Sequence, residues 1–304
     1  MRLAALGVAV LVLAGGRVTP PPREVAVTID DLPVAGLRHT PAENRTITTK
    51  LLGALAAHHV PAIGFVNESK LEWQSETLLQ MWLDRGFELG NHTFSHLDFH
   101  DTPLDRYEDD VVKGDPAIRR LMQRRGRAPR FFRHPFLHTG RDLETRAAFE
   151  RFLADRGYRV APVTIDNDDY IFARAYDKAF ARGDRETMRR VAAAYVPYMN
   201  EKFSFFERNA EQLFGRDIRQ ILLIHASLLN GDEFGRLAAM MTRRGYRFIT
   251  LERALEDDAF KSPDTYVGPS GITWLHRWAL TRGVNRAFYK GEPDVPKFVA
   301  DNAR

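Results

Sequence analysis

The chain has 304 residues, of which 44% are hydrophobic and 28% are charged. This composition supplies enough apolar material for the core of one large α/β domain, and it excludes a disordered chain. The net charge is +4, from 44 Lys and Arg against 40 Asp and Glu, which argues against a nucleic-acid-binding protein. Cysteine is absent, so disulfide scaffolds, thiol catalysis and cysteine-ligated zinc are excluded as well.

The first 22 residues have the pattern of a secretory signal peptide. A positively charged start, Met1 and Arg2, precedes an apolar run at 3–14, and three prolines follow at 20–22. The apolar run is shorter than the ~20 residues that a transmembrane helix needs. We therefore expect an exported protein, periplasmic or extracellular, with no stable membrane span once the signal is removed. A buried first strand or helix and a retained anchor are the alternatives.

After the prolines, short β-type segments alternate with helical ones. Strands are predicted at 24–29, 60–66, 87–90, 130–133, 159–165, 221–224 and 246–250. Helices are predicted at 41–58, 76–84, 104–125 with a break or kink at Pro116, 143–156 and 233–244, with a helix-rich stretch at about 170–213. This order predicts a parallel sheet or barrel. We expect a catalytic domain over 23–260, with a helix-rich insertion at about 170–215, and a C-terminal extension over 261–304.

Residues that can carry chemistry stand at or just after the ends of the predicted strands. They are Asp30, Asp31, His92, Arg133, Asp166, Asp169 and His225. In a parallel α/β barrel the carboxyl ends of the strands meet at one face, where active sites are built from several loops. The sequence therefore predicts an active site at this face.

The segment NHTFSH places His92 and His96 four residues apart. If this turn is helical, both rings lie on one face and converge on one ion. Asp31 would complete a set of two histidines and one carboxylate with open positions, as in catalytic metal sites. Its neighbour Asp30 would then act on a water molecule bound to the metal. On these residues alone, ordinary surface histidines and turn aspartates remain open as alternatives.

Five segments, in chain order, resemble the motifs of the polysaccharide deacetylase family, also called the NodB homology group or carbohydrate esterase family 4. They are TIDD, NHTFSH, FRHPF, DNDDY and LLIH, and the resemblance covers roughly residues 24–255. It implies an α/β fold, a distorted (β/α) barrel with fewer than eight strands. It also implies a hydrolase that removes N-acetyl groups from the amino sugars of an acetylated glycan, with Zn²⁺ or another divalent metal.

The resemblance implies roles for single positions. Asp31, His92 and His96 would bind the metal. Asp30 would be the general base, and Arg133 would pair with it and hold it in place.

The remaining motifs imply an acid and a pocket. His225 would be the general acid for the leaving amine, with Asp169 tuning its pKa, and Tyr170 would line the acetyl pocket. The other substrate-binding candidates are Asp166, which opens the same motif, Pro135 and Phe136 of motif three, with the backbone N–H of Phe136 as an oxyanion donor, and His138 as an additional pocket residue.

The sequence departs from the family pattern at three places. Phe136 and Leu137 stand where Tyr-Gly is usual, Tyr170 replaces a Trp, and Ala226 follows His225 where Asp is common. None of these changes removes a catalytic group, but together they weaken any transfer of a substrate from the family.

Several alternatives stay open at this point. The chain would also suit hydrolysis of O-acetyl esters, or of a non-sugar amide or ureide, on the same scaffold. A non-catalytic glycan-binding protein is the rival from another class. Trp274 and Trp278 in the tail would pack against the barrel, or else stack on carbohydrate or a membrane surface. No nucleic-acid partner is expected, and the sequence makes no prediction of the oligomeric state.

Overall fold

The computed structural model describes residues 23–304. The predicted signal peptide at 1–22 therefore lies outside the described residues. Among the helices of residues 23–304, none combines the length and apolar character that crossing a bilayer requires.

Within residues 23–304, seven strands form one sheet in which every pairing is parallel. The strands are β1 (Arg23–Leu32), β2 (Ile63–Val66), β3 (Glu88–Asn91), β4 (Phe131–Phe132), β5 (Arg159–Val160), β6 (Gln220–His225) and β7 (Tyr246–Ile249). Their order is β5-β4-β3-β2-β1-β6, and β7 pairs with β1. The parallel α/β prediction is confirmed.

Strand β1 is the centre of the sheet. Val25, Val27 and Ile29 are almost completely buried, as is usual for a parallel strand that is covered on both faces. One edge of β1 pairs with β6, and the other edge is shared by β7 along its first half and β2 along its second. In this register Asp30 lies opposite His225.

The segment at 159–165 closes the barrel. Only β5 pairs with β4, whereas Ile165 forms an isolated bridge with Leu222 of β6, at the opposite end of the strand order. The prediction of one continuous strand here is wrong, because the segment crosses between the two sheet edges and Pro162 has no N–H to donate. The predicted barrel with fewer than eight strands is confirmed.

Helices surround this sheet. They are α1 (Pro41–Ala57), α2 (Thr77–Asp84), α3 (Leu104–Lys113), α4 (Pro116–Gln123), α5 (Leu143–Asp155), α6 (Asp169–Ala181), α7 (Arg185–Phe214), α8 (Leu228–Arg243), α9 (Leu251–Ala254), α10 (Trp274–Thr281) and α11 (Lys297–Ala303). Thr40 and Glu43 form a reciprocal capping box at the start of α1. The predicted break is confirmed, since Pro116 opens α4. Helix α8 begins before the predicted residue 233, because Ser227 caps it by accepting from the N–H of Asn230.

The helix-rich stretch and the tail both pack into the core. In α7, Phe203 and Phe206 are fully buried. Trp274 is 7% exposed and Trp278 is 1% exposed, and the N–H of Trp274 donates to the carbonyl of Val163 at 2.8 Å. The tail tryptophans therefore pack against the barrel, and their rings are not available for stacking on carbohydrate or a membrane.

Candidate active site

Two successive aspartates face the same centre at the end of β1. Side chains normally alternate between the faces of a strand, but Asp31 has a left-handed backbone with φ 69°, and the register with β2 shifts between Ile29 and Leu32. As a result, Oδ2 of Asp30 lies 3.9 Å and Oδ1 of Asp31 lies 3.8 Å from the same atom, Nε2 of His92. The irregularity brings both carboxylates to one site.

Asp31, His92 and His96 form a cluster in which all ligand atoms lie within 4.8 Å of one another. Oδ1 of Asp31 lies 3.7 Å from Nε2 of His96 and makes no hydrogen bond among residues 23–304, although it is buried. Nδ1 of His92 donates to the carbonyl of Arg133 at 2.8 Å, so its Nε2 carries the lone pair that faces Asp31. A buried, unpartnered carboxylate oxygen between two imidazole nitrogens fits a divalent cation.

The histidine segment is a loop, and the conditional prediction of a helical turn is wrong. Thr93 and His96 both have left-handed backbones, with φ 64° and 59°. The side chain of Asn91 accepts the N–H of Thr93 at 2.8 Å, and the hydroxyl of Thr93 accepts the N–H of His96 at 2.9 Å. Local side-chain hydrogen bonds therefore bring the two rings together, and their centroids lie 4.9 Å apart.

Asp30 and Arg133 form a buried ion pair on one side of the cluster. Nε of Arg133 lies 3.6 Å from Oδ1 of Asp30, and Nη2 donates to the hydroxyl of Thr28 at 2.6 Å. Burial raises the pKa of Asp30 to about 6, although Arg133 and His225 oppose the rise. The carboxyl of Asp30 therefore titrates close to the neutral range.

His225 and Asp169 form a second pair. Nδ1 of His225 donates to Oδ1 of Asp169 at 2.6 Å, and the backbone N–H of His225 donates to Oδ2 at 2.8 Å. The amide of Asn230 donates to the same Oδ2 at 2.7 Å and fixes the carboxylate. Burial alone lowers the pKa of His225, but the Asp169 carboxylate outweighs burial and raises it to about 9.

Two aromatic side chains stand at the mouth of the site. Phe136 is 54% exposed and lies 4.5 Å from the ring of His96, with a left-handed backbone at φ 55°. Tyr170 is 55% exposed and lies 6.2 Å from the ring of His225. Pro135 is buried before Phe136. One aromatic ring therefore lies beside His96 and the other beside His225.

The two other predicted substrate-binding residues are placed differently. His138 is turned towards Asp98, with 2.6 Å between Nδ1 and the carboxylate, and its ring lies 5.9 Å from that of Phe136. Asp166 follows the bridge residue Ile165, and burial together with Asp168 raises its pKa to about 6. His138 therefore lies behind Phe136, and Asp166 lies near Arg133 and His225, outside the cluster itself.

The sequence analysis missed Lys70, which belongs to a short 3-10 helix at Glu68–Glu72. Its Nζ donates to the carbonyl of Asp31 at 2.9 Å and lies 3.4 Å from Oδ2 of the same residue. Burial raises the pKa of Asp31, but Lys70 and then His96 outweigh burial and hold it well below its usual range. The available signal was its position, four residues after the end of a predicted strand.

The sequence of residues 17–151 matches the family model described as polysaccharide deacetylase. This part of the chain, which is less than half of it, is similar to the polysaccharide deacetylase family. A peptidoglycan-N-acetylglucosamine deacetylase of Bacillus cereus is 28% identical over 147 residues, which are 48% of this chain and 46% of that protein. The chain thus matches about half the length of this relative.

Solved structures of a deacetylase and of a pseudoenzyme share the fold. The peptidoglycan deacetylase PdaC from Bacillus subtilis has 20% identity and a TM-score of 0.50, over 79% of this chain and 93% of that one. A carbohydrate esterase family 4 pseudoenzyme from Bacillus anthracis has 16% identity and a TM-score of 0.52, over 78% of this chain and 66% of that one. Because an inactive protein shares the fold, activity has to be argued from the residues of the site.

Proposed function

We propose that this chain is a metal-dependent deacetylase that hydrolyses N-acetyl groups on the amino sugars of a cell-envelope or extracellular glycan. The observation that supports this proposal best is the cluster of Asp31, His92 and His96, with a buried carboxylate on one side and a charged imidazole on the other. We assign the activity to residues 23–260 and export to residues 1–22, with 261–304 as an extension.

Asp31, His92 and His96 hold the metal in this proposal, through one carboxylate oxygen and two Nε2 atoms. A divalent cation held there supplies Lewis acidity, which acidifies water towards a pKa of ~7 and polarises a carbonyl. The hydrogen bond from His92 to the carbonyl of Arg133 fixes the tautomer that this binding needs.

Asp30 accepts a proton from the attacking water. Its pKa of about 6 leaves it ionised at neutral pH and still basic enough for proton transfer. Arg133, whose guanidinium Nε is 3.6 Å away, keeps the carboxylate charged and oriented. The water oxygen adds to the acetyl carbon, and the backbone N–H of Phe136 donates to the oxygen that becomes negative.

His225 donates the second proton. Its Nδ1 is committed to Asp169, so the proton for the substrate is on Nε2, and a pKa of about 9 keeps the ring charged at neutral pH. When the carbon–nitrogen bond breaks, this proton goes to nitrogen, because an amide nitrogen leaves poorly as an anion. The products are acetate and a free amine, with Phe136 and Tyr170 beside the acetyl methyl group.

An acetate-release assay on N- and O-acetylated glycans tests this proposal, with protein stripped of metal and then reconstituted with Zn²⁺. We expect acetate from N-acetylated glycans only with metal. His92→Ala removes both metal and activity, whereas His58→Ala, which removes an imidazole at the end of α1, changes neither. Glycan binding without acetate from any glycan would overturn the proposal in favour of a non-catalytic binder, and release from O-acetyl esters alone would favour an esterase.

A further inference from the structure

Large apolar side chains are exposed on four segments that follow strands of the sheet. They are Leu37, Trp73, Phe136 and Tyr170, with 41, 44, 54 and 55% of their surface exposed. Phe136 and Tyr170 already flank the cluster. Leu37 follows β1 and Trp73 follows β2, and neither has a part in the proposed chemistry. An exposed apolar group at the edge of a site commonly marks a ligand-binding surface.

Trp73 lies three residues after Lys70, which contacts Asp31 of the cluster. Its N–H donates to the carbonyl of Lys70 at 3.2 Å, which closes the last turn of the 3-10 helix. Trp73 directly follows this helix, and the side-chain amide of its neighbour Gln74 donates to the carbonyl of Val34, just after β1, at 3.0 Å. The segment that carries Trp73 therefore contacts the end of β1, where Asp31 lies, through both Lys70 and Gln74. It is on the β2 side of β1, whereas His225 is on the β6 side.

Arg38 supplies a positive charge at the same place. Its guanidinium carbon lies 5.4 Å from the centre of the Trp73 ring, and the residue is exposed. Neighbouring His39 pairs with Glu43 and Asp177, but no Asp or Glu among residues 23–304 pairs with Arg38. A guanidinium that lies over an aromatic ring keeps its N–H edge free, and this edge matches a carboxylate in two parallel hydrogen bonds.

We propose that Leu37, Arg38 and Trp73 form a subsite for a second sugar of the substrate, one that bears a carboxylate. The inference rests on the proposed function and deepens it, because it makes the substrate an acidic glycan. The face of the sugar ring packs on Trp73, and its carboxylate binds the guanidinium of Arg38. Lys70 contributes a further positive charge on this side of the site.

The test compares two acetylated oligosaccharides that differ only in whether the carboxylates have been reduced to alcohols. For the wild type, we expect a KM that is roughly 10-fold lower for the carboxylated oligomer, since charge-assisted hydrogen bonds are the stronger kind. Arg38→Gln removes this preference, and Arg45→Gln, an exposed arginine on α1, keeps it. Trp73→Ala raises KM for both oligomers, and Trp73→Phe restores part of the loss.

A small aryl acetate reports on the metal site alone, so all four variants should hydrolyse it at the wild-type rate. Equal KM values for the two oligomers, or a preference that survives in Arg38→Gln, would overturn the subsite. If the wild type releases acetate from no substrate, the proposed deacetylase activity fails. The subsite is then judged by titration calorimetry with the same two oligomers, where equal affinities would overturn it.

Discussion

At the scale of single residues, Asp30 and Asp31 are neighbours in sequence with opposite electrostatic surroundings. Burial dominates at Asp30 and raises its pKa to about 6. At Asp31 burial acts in the same direction, but Lys70 and the surrounding imidazoles outweigh it and keep the carboxylate charged. A pair of carboxylates separated in this way can divide the tasks of proton acceptor and cation ligand.

Asp30→Asn tests this division. The amide keeps the shape of the side chain but accepts no proton, so we expect turnover to fall by about 10²–10⁴ while the metal stays bound. Acetate release and metal content by mass spectrometry measure the two effects. Near-normal turnover, or loss of the metal, would contradict the assignment of Asp30 as the base.

The pH profile tests His225. Activity needs Asp30 ionised and His225 protonated. The rate should therefore rise as the pH passes the pKa of Asp30, at pH 6 or below because a bound cation lowers this pKa further. The rate should fall again near pH 9, where His225 loses its proton. Asp169→Asn removes the charge that raises the pKa of His225, so the alkaline limb should move down towards pH 7. If the alkaline limb does not move in this variant, then the limb reports the titration of a group other than His225.

At the scale of elements, strained loops carry the candidate residues. Among residues 23–304, positive φ values occur in seven non-glycine residues: Asp31, His59, Thr93, His96, Phe136, Leu137 and Asp168. All except His59 lie at the end of β1 or in the segments after the strands that carry the other candidate residues. Such conformations cost ~1–3 kcal/mol each, and they persist where the surroundings determine them.

The C-terminal tail helps to determine the left-handed conformation of one of these segments. A Cβ atom on Gly271 would lie 1.6 Å from the carbonyl oxygen of Phe136 and 3.3 Å from Cδ2 of His138. The backbone of the tail therefore packs directly against the turn at Pro135–Leu137. The position requires glycine because no side chain fits between the two segments.

Gly271→Ala should displace this turn. We expect kcat/KM to fall by roughly 10- to 100-fold, because small misplacements of positioned groups have effects of this size. Gly53→Ala is the control, since nothing lies within 4 Å of the Cβ it would add. We would measure kcat/KM and the melting temperature of both variants. Equal kcat/KM values for the two variants would contradict a role of the tail in positioning this turn.

The positions of many helices and strands were predictable from the sequence because their causes are local. The helix predicted at 41–58 is α1, and Pro116 marked the break between α3 and α4. The loop of His92 and His96 was not predictable, since it depends on left-handed residues that the spacing does not reveal. Lys70 was missed because its contact with Asp31 exists only after β1 and β2 pair.

At the scale of the whole molecule, buried charge attaches the tail to the barrel. Nε of Arg277 donates to Asp264 at 2.7 Å, and Nη2 donates to the hydroxyl of Thr139 at 2.7 Å. The guanidinium lies 4.6 Å from the centre of the Trp274 ring, and the residue is fully buried. Removing one partner of a buried ion pair of this kind strongly destabilises the folded protein.

Arg277→Ala should lower the free energy of unfolding by about 3 kcal/mol, because Asp264 keeps only Arg146 of its two arginine partners and the fully buried guanidinium leaves a cavity. Arg286→Ala, at an exposed arginine of the tail, should change it by less than about 0.5 kcal/mol. Denaturant unfolding of both variants measures the difference. Similar midpoints would show that the tail contributes little to the stability of the barrel.

The three partners of β1 have a consequence for how the molecule forms. Its first residues pair with β7, where Arg23 lies opposite Tyr246, and its later residues pair with β6. Contacts between such distant parts of a chain form slowly. The central strand therefore stays incomplete until β7 has been synthesised, so a nascent chain holds both aspartates and the two histidines of the cluster before the strand that carries the aspartates is fully paired.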